Sequence, residues 1–211
     1  MLTKNNITGL ILAGGAGRRV DHKDKGLICL DGKPMIQRQI EWMKPQVDNI
    51  IISANRNIET YKAYGYPVLT DHLSKQNQPE QVAGKLEFNG PLFGLYQGLL
   101  HTKTTHLFVH PVDLPLLPSD TLKKILDYAN QQISKGLSDN QVSVNYFLKT
   151  SQREHFLSLF IAKDLVNRLR QNLENNQLRV GRFLQENDVK GVDLGIPESS
   201  FANFNHTEDF T

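Results

Sequence analysis

One cysteine, Cys29, stands alone in the sequence, so no disulfide can close within the chain. It lies in an apolar run and reads as a buried, inert thiol. No apolar stretch approaches the ~20 residues of a membrane-spanning helix. The first apolar run is short and leads into glycines rather than a cleavage site, so no secretory signal is read and a cytoplasmic location is expected. Charge of one sign is missing as well. Lys and Arg number 24 against 22 Asp and Glu, a formal net charge of +2 with dispersed basic residues. That balance argues against nucleic acid as the main partner. The seven histidines are scattered, and with one cysteine they make no zinc-like spacing, which argues against transition-metal catalysis. Internal repeats, heptads and low-complexity tracts are absent too.

What is present is an ordinary globular composition, 39% apolar and 22% charged over 211 residues, enough for one α/β domain with a substantial core. Apolar runs and helical periodicities alternate, which predicts a three-layer α/β sandwich with a largely parallel sheet. Strands are expected at Ile7–Leu12, Asn49–Ala54, Pro67–Thr70, Thr105–His110, Val142–Leu148, His155–Ile161 and Val189–Leu194. Helices are expected from Met35 to Met43 (ended by Pro45), Ile58 to Tyr64, Asp164 to Leu173 and Val180 to Glu186. A further helix opens at Gly90-Pro91-Leu92 with Leu95, Leu99 and Leu100 on one face. Another is capped by Ser119 and stopped by Gly136. His72 to Asn89 is polar and long for a connection, and reads as a mobile loop.

The chain is organised around Ile7 to Leu30. A short apolar strand breaks into Gly14-Gly15-Ala16-Gly17, followed by Arg18, Arg19 and Asp24-Lys25-Gly26. Glycines let the backbone turn sharply, its N–H groups make an anion-binding concavity, and the cations add positive charge; the expected ligand is a polyphosphate. A basic, polar segment stands where the dinucleotide fingerprint needs a helix, and the P-loop pattern is absent because Lys25 precedes Gly26-Leu27 rather than Ser or Thr. Ligands of open parallel sheets gather at the carboxyl ends of strands. Polar groups stand there after four of them: Gly14 and Gly15, Ser53 and Asn55, Asp71, and Asp113. Asp113, stiffened between Pro111 and Pro115, is the best candidate for a hard cation such as Mg2+, which takes one or two carboxylates with substrate phosphates and water. His110 beside it reads as a packing residue. Arg19 and Lys25 are assigned to a triphosphate and the charge developing on it.

Leu12-Ala13-Gly14-Gly15, Arg19 and Asp24-Lys25 together resemble the signature of nucleotidyltransferases with a Rossmann-like domain. With Ala54-Asn55-Arg56, Asp71, Gly90-Pro91-Leu92-Phe93-Gly94, Pro111-Val112-Asp113-Leu114-Pro115 and Phe201-Ala202-Asn203-Phe204-Asn205-His206-Thr207-Glu208-Asp209, nearly the whole chain is similar to the molybdenum cofactor guanylyltransferases. The resemblance implies a three-layer α/β/α sandwich of the nucleotide-diphospho-sugar transferase type. It also implies a single domain over residues 1–211, with a nucleotide-binding half to about 115 and an acceptor-binding half beyond.

The activity it implies is Mg2+-dependent transfer of GMP from GTP to the phosphate of molybdopterin, with release of pyrophosphate. Leu12, Ala13, Gly14, Gly15, Lys25, Asp71 and Asp113 would then face GTP and Mg2+, and Gly90, Gly94, Asn203 and Asn205 molybdopterin. Contact with other cofactor-biosynthesis proteins is implied, and a monomer or weak homo-oligomer is expected.

The chain departs from the pattern at four places. Val20-Asp21-His22 replaces Met-Gly-Gly. Ser53 stands where an asparagine near the base is expected, with Asn55 left as its substitute. His155-Phe156 replaces His-Pro, and the segment from Asp71 to Gly90 is longer than usual. Transfer from CTP, a sugar or alditol phosphate acceptor, and a non-catalytic homologue that binds nucleotide or molybdopterin are the alternatives.

Overall fold

The computed structural model describes residues 1–14, 24–71, 90–135 and 144–204. Its centre is β1 (Ile7–Leu12), whose residues 7–11 are all buried, as a strand covered on both faces requires. β1 pairs in parallel with β4 (Asn49–Ser53), Leu10 opposite Ile51, and with β6 (His106–Pro111), Leu10 opposite Val109. Beyond β4 lies β5 (Val68–Leu69); beyond β6 come β8 (Glu154–Ala162), β7 (Tyr146–Lys149) and β9 (Lys190–Val192), a seven-stranded sheet. β8 alone runs against the rest, Val109 facing Leu159, while β7 and β9 keep the common direction. β2 (Cys29–Leu30) and β3 (Lys33–Pro34) form a separate two-stranded ribbon.

Two apolar layers close the sheet. On one face α1 (Met35–Met43) and α4 (Thr121–Ser134) bring Met35, Ile36, Met43, Leu122 and Ile125 against Ile7, Ile11 and Phe108. On the other, α3 (Pro91–His101), α5 (Val166–Glu174) and α6 (Val180–Glu186) bring Phe93, Leu99, Leu169 and Phe183 against Leu10, Ile51 and Leu159. α3 is buried from Leu92 through Leu99, because the sheet lies on one side and α5 on the other. The short α2 (Ile58–Lys62) contributes Tyr61 to the first layer. This is the expected three-layer arrangement with a mostly parallel sheet. Among the described residues no helix is long and apolar enough to cross a membrane.

Several local expectations are corrected. Cys29 is exposed: it sits in the separate two-stranded ribbon, in which its neighbour Leu30 rather than Cys29 packs against the core. Leu100 is 42% exposed, since it falls one step round the helix from the buried Leu99. Ser119 does not cap α4; Asp120 precedes the helix, and the Thr121 hydroxyl bonds Pro118 O at 2.7 Å. β7 is Tyr146–Lys149, with Asn145 just before it accepting the Ala162 N–H on its side chain at 2.7 Å, while Val142 and Ser143 of the expected strand lie outside the described residues. Gly136 and the segment from His72 to Asn89 lie outside the described residues.

Candidate active site

The chain passes from β1 to β4 and β5 on one side, then crosses to β6 on the other, so strand order reverses between β1 and β6. A crevice opens at the carboxyl ends of strands at such a reversal. Lys25 and Asp113 meet here, 88 residues apart in sequence, with Nζ 3.0 Å from the carboxylate. Both side chains keep about a fifth of their surface exposed, 21% and 20%, so each remains accessible to a ligand.

The loop bearing Asp113 is pinned from below. Leu114 O accepts the Gln39 amide at 2.9 Å and His110 Nε2–H at 3.0 Å, and the Trp42 indole donates to Pro118 O at 3.1 Å. The carbonyl needs a donor, so His110 carries its proton on Nε2, and Nδ1 accepts from the Ser158 hydroxyl at 3.3 Å. Full burial, opposed by the Leu114 bond and Asp113, pushes the His110 pKa down to about 4. His110 is thus a neutral strut beneath the loop.

The turn carrying Lys25 has its own support. Asp24 precedes the single helical turn Lys25–Leu27 and accepts Gly26 N–H at 3.2 Å, Asn57 Nδ2 at 3.0 Å and the Tyr61 hydroxyl at 2.6 Å. Tyr61 is fully buried; burial first, then Asp24, raises its pKa far above the usual phenol value, so it remains a donor. A Cβ on Gly26 would come within 2.3 Å of that hydroxyl oxygen, so this position requires glycine.

Leu12, Ala13 and Gly14 leave β1 at the same edge, with Ala13 N–H donating to Ser53 O at 2.8 Å and Val112 N–H to Leu12 O at 3.0 Å. Asn55 and Asp71 are tied twice: Asn55 Nδ2 donates to the carboxylate at 2.6 Å, and Asp71 N–H donates to Asn55 Oδ1 at 2.7 Å. Both ends of the Asn55 amide are thereby engaged with Asp71. Ser53 is buried beneath α3, its Oγ 3.0 Å from where a Cβ on Gly94 would stand and Leu12 Cδ2 3.1 Å away. Gly94 therefore sets how closely α3 lies on β1 and β4, and Gly90 heads the helix with φ +112°.

The C-terminal segment returns to this edge. Phe204 N–H donates to Asp113 O at 3.0 Å, which brings the exposed Asn203 beside the metal-candidate loop. Phe201 stacks on His155 at a ring separation of 3.8 Å, and His155 Nε2 lies 3.3 Å from Glu198. Desolvation lowers the His155 pKa, whereas hydrogen bonds from Thr150 and then His155 lower that of Glu198. The described members of the expected set thus line one edge, whereas Gly15, Arg19, Val20, Asp21, His22 and Asn205 lie outside the described residues. Sequence reasoning missed Tyr61, Asn57, Gln39 and Trp42, whose helical spacing marks them only as core or surface positions.

A lysine and a carboxylate paired at the strand reversal, beside the end of β1, suit a polyphosphate. The model of the MobA-like NTP transferase domain matches residues 9–190. A molybdenum cofactor guanylyltransferase of Haemophilus influenzae is 31% identical over 203 residues, covering 96% of this chain and 95% of that protein. One from Yersinia pestis is 32% identical over 204 residues, covering 97% and 93%. The crystal structure of molybdopterin-guanine dinucleotide biosynthesis protein A from Archaeoglobus fulgidus superposes with a TM-score of 0.67 at 17% identity, over 96% of this chain and 94% of that one, a likeness of fold. The chain is a nucleotidyltransferase and belongs to the family of the molybdenum cofactor guanylyltransferases, built on the MobA-like NTP transferase domain.

Proposed function

We propose that the protein transfers GMP from GTP to the phosphate of molybdopterin, releasing pyrophosphate. The observation that carries this is the Lys25–Asp113 pair, set 3.0 Å apart at the strand reversal where nucleotides bind in such sheets. The acceptor phosphate attacks the α-phosphorus, forming one P–O bond as the bond to pyrophosphate breaks. Such transfer is accelerated by alignment and by offsetting charge rather than by covalent help. Without nucleotide, Lys25 and Asp113 neutralise each other; with nucleotide, Lys25 turns to the phosphate oxygens and frees the carboxylate. Backbone N–H groups after β1 cradle the phosphates, with Arg19 as a second cation. Ser53, Asn55 and Asp71 border the nucleoside end; Gly90, Gly94, Asn203 and Asn205 belong to the acceptor end.

Among the described residues no group of three or more His, Cys, Asp or Glu is placed to hold a metal. Asp113 offers a hard oxygen donor, which fits a Mg2+ ion that completes its shell with phosphate oxygens and water rather than a protein cage. Bound there, the ion would supply charge neutralisation at the phosphates. The test is pyrophosphate release from GTP, CTP, ATP and UTP with Mg2+ and molybdopterin, beside Asp113→Ala. Release with GTP alone, lost in the variant, is expected. Release with CTP overturns the base assignment, and silence with every nucleotide overturns the transfer itself.

A further inference from the structure

Three donors converge on one carboxylate that does not itself reach Asp113. Asp24 Oδ1 receives both the Tyr61 hydroxyl at 2.6 Å and Gly26 N–H at 3.2 Å, and Oδ2 receives Asn57 Nδ2 at 3.0 Å. Tyr61 and Asn57 belong to α2 and the residue before it, whereas Asp24 leads the turn that presents Lys25. The turn is therefore anchored to an element across the site, and the space a Cβ on Gly26 would need is filled by the Tyr61 hydroxyl. Asn57 adopts φ +49°, a left-handed conformation that asparagine and glycine tolerate best, which aims its side chain from the helix start.

We infer that Tyr61, with Asn57, is a positioning residue for the transfer reaction: through Asp24 it fixes the turn that holds the Lys25 ammonium against Asp113. This deepens the proposed function and rests on its assignment of Lys25 to the phosphates. A hydrogen bond to a carboxylate is stronger than one between neutral groups, and a cation displaced by a fraction of an ångström loses much of its effect on a developing charge. The ring of Tyr61 packs in the core, so Tyr61→Phe keeps the packing and removes only the anchor. Asn57→Gly keeps the backbone conformation and removes the second one.

The experiment has two readouts. Acetylation of each lysine by an amine-reactive succinimidyl ester, followed by mass spectrometry on the folded, nucleotide-free protein, reports how firmly Lys25 is held. Steady-state pyrophosphate release with GTP, Mg2+ and molybdopterin reports the consequence. In Tyr61→Phe, Lys25 is expected to react several-fold faster, with Lys33 and Lys62 unchanged. kcat should fall about tenfold while the KM for GTP holds, and Asn57→Gly should move both readouts the same way by less. Unchanged Lys25 reactivity in both variants, equally faster reaction of all lysines, or a raised KM with kcat intact would each overturn the inference. A wild-type protein inactive with GTP whose Lys25 still becomes selectively reactive would overturn the substrate assignment and leave the anchor standing.

Discussion

Lowering the pH from 7.5 to 5.0 should destabilise the fold, and His106 and His110 supply the reason. Burial dominates both shifts, to about 4 from an ordinary 6.5. His110 has both nitrogens committed to Leu114 O and Ser158, and His106 stacks on Phe160 with a buried Nε2 that has no partner among the described residues. The unfolded chain binds a proton near pH 6.5, the folded one only near 4. Their contribution is therefore complete above 6.5 and is lost as the pH falls toward 4.

At pH 5.0 each histidine should cost about 2 kcal/mol, rising to about 3 below pH 4, so the pair removes about 4 kcal/mol of a stability that is typically 5–15. His155, whose pKa is also lowered, adds in the same direction. Glu41, Glu186 and Glu198, held below their ordinary 4.5, lose their contribution mainly below pH 4.5, so the imidazoles dominate the comparison. Urea unfolding can be followed through Trp42, whose ring centroid lies 5.0 Å from that of His110. His110→Gln should be less stable at pH 7.5 but lose about 2 kcal/mol less on acidification. A wild-type unfolding free energy identical at the two pH values, or an unchanged pH dependence in His110→Gln, would refute the assignment.

Other outcomes follow from the same geometry. Lys25→Ala and Asp113→Ala should each lower kcat for pyrophosphate release by about 10²- to 10³-fold with the fold intact, checked by circular dichroism. Gly94→Val forces side-chain atoms toward Ser53 Oγ and Leu12. It should lower the urea unfolding free energy by about 2–3 kcal/mol. Phe201→Ala removes the ring stacked on His155 and loosens the segment that reaches Asp113. Acceptor KM should rise about tenfold, or ~1.4 kcal/mol, with nucleotide KM unchanged; equal changes in both would contradict a role confined to the acceptor end.

The layered sheet was legible because β1, β4 and β6 each carry a short apolar run, residues 10–12, 50–52 and 107–109, and such runs have few homes other than a covered strand. Lys25 was legible from the segment after the glycine loop and Asp113 from the strand-end rule, but only the fold shows them as one ion pair. The reversal of β8 was not legible, since an apolar strand carries no mark of its direction. Cys29 misled because successive strand residues face opposite ways, and in the β2–β3 ribbon Leu30 takes the side against the core while Cys29 is exposed. Asn55 read as a group for the base; its two bonds to Asp71 depend on two strand ends that come together only in space. Tyr61 sits at a helical core position, and nothing in that pattern signals that its hydroxyl reaches Asp24.

Because β8 runs backwards, its beginning and the end of β7 meet at the edge where the reaction is proposed, joined by a tight hairpin whose Thr150 N–H bonds Arg153 O at 2.8 Å. That hairpin neighbours Glu198, and through it the tail that reaches Asp113. Residues added there would extend over the end proposed to receive the acceptor. A chain of this architecture can change what it modifies by lengthening one turn.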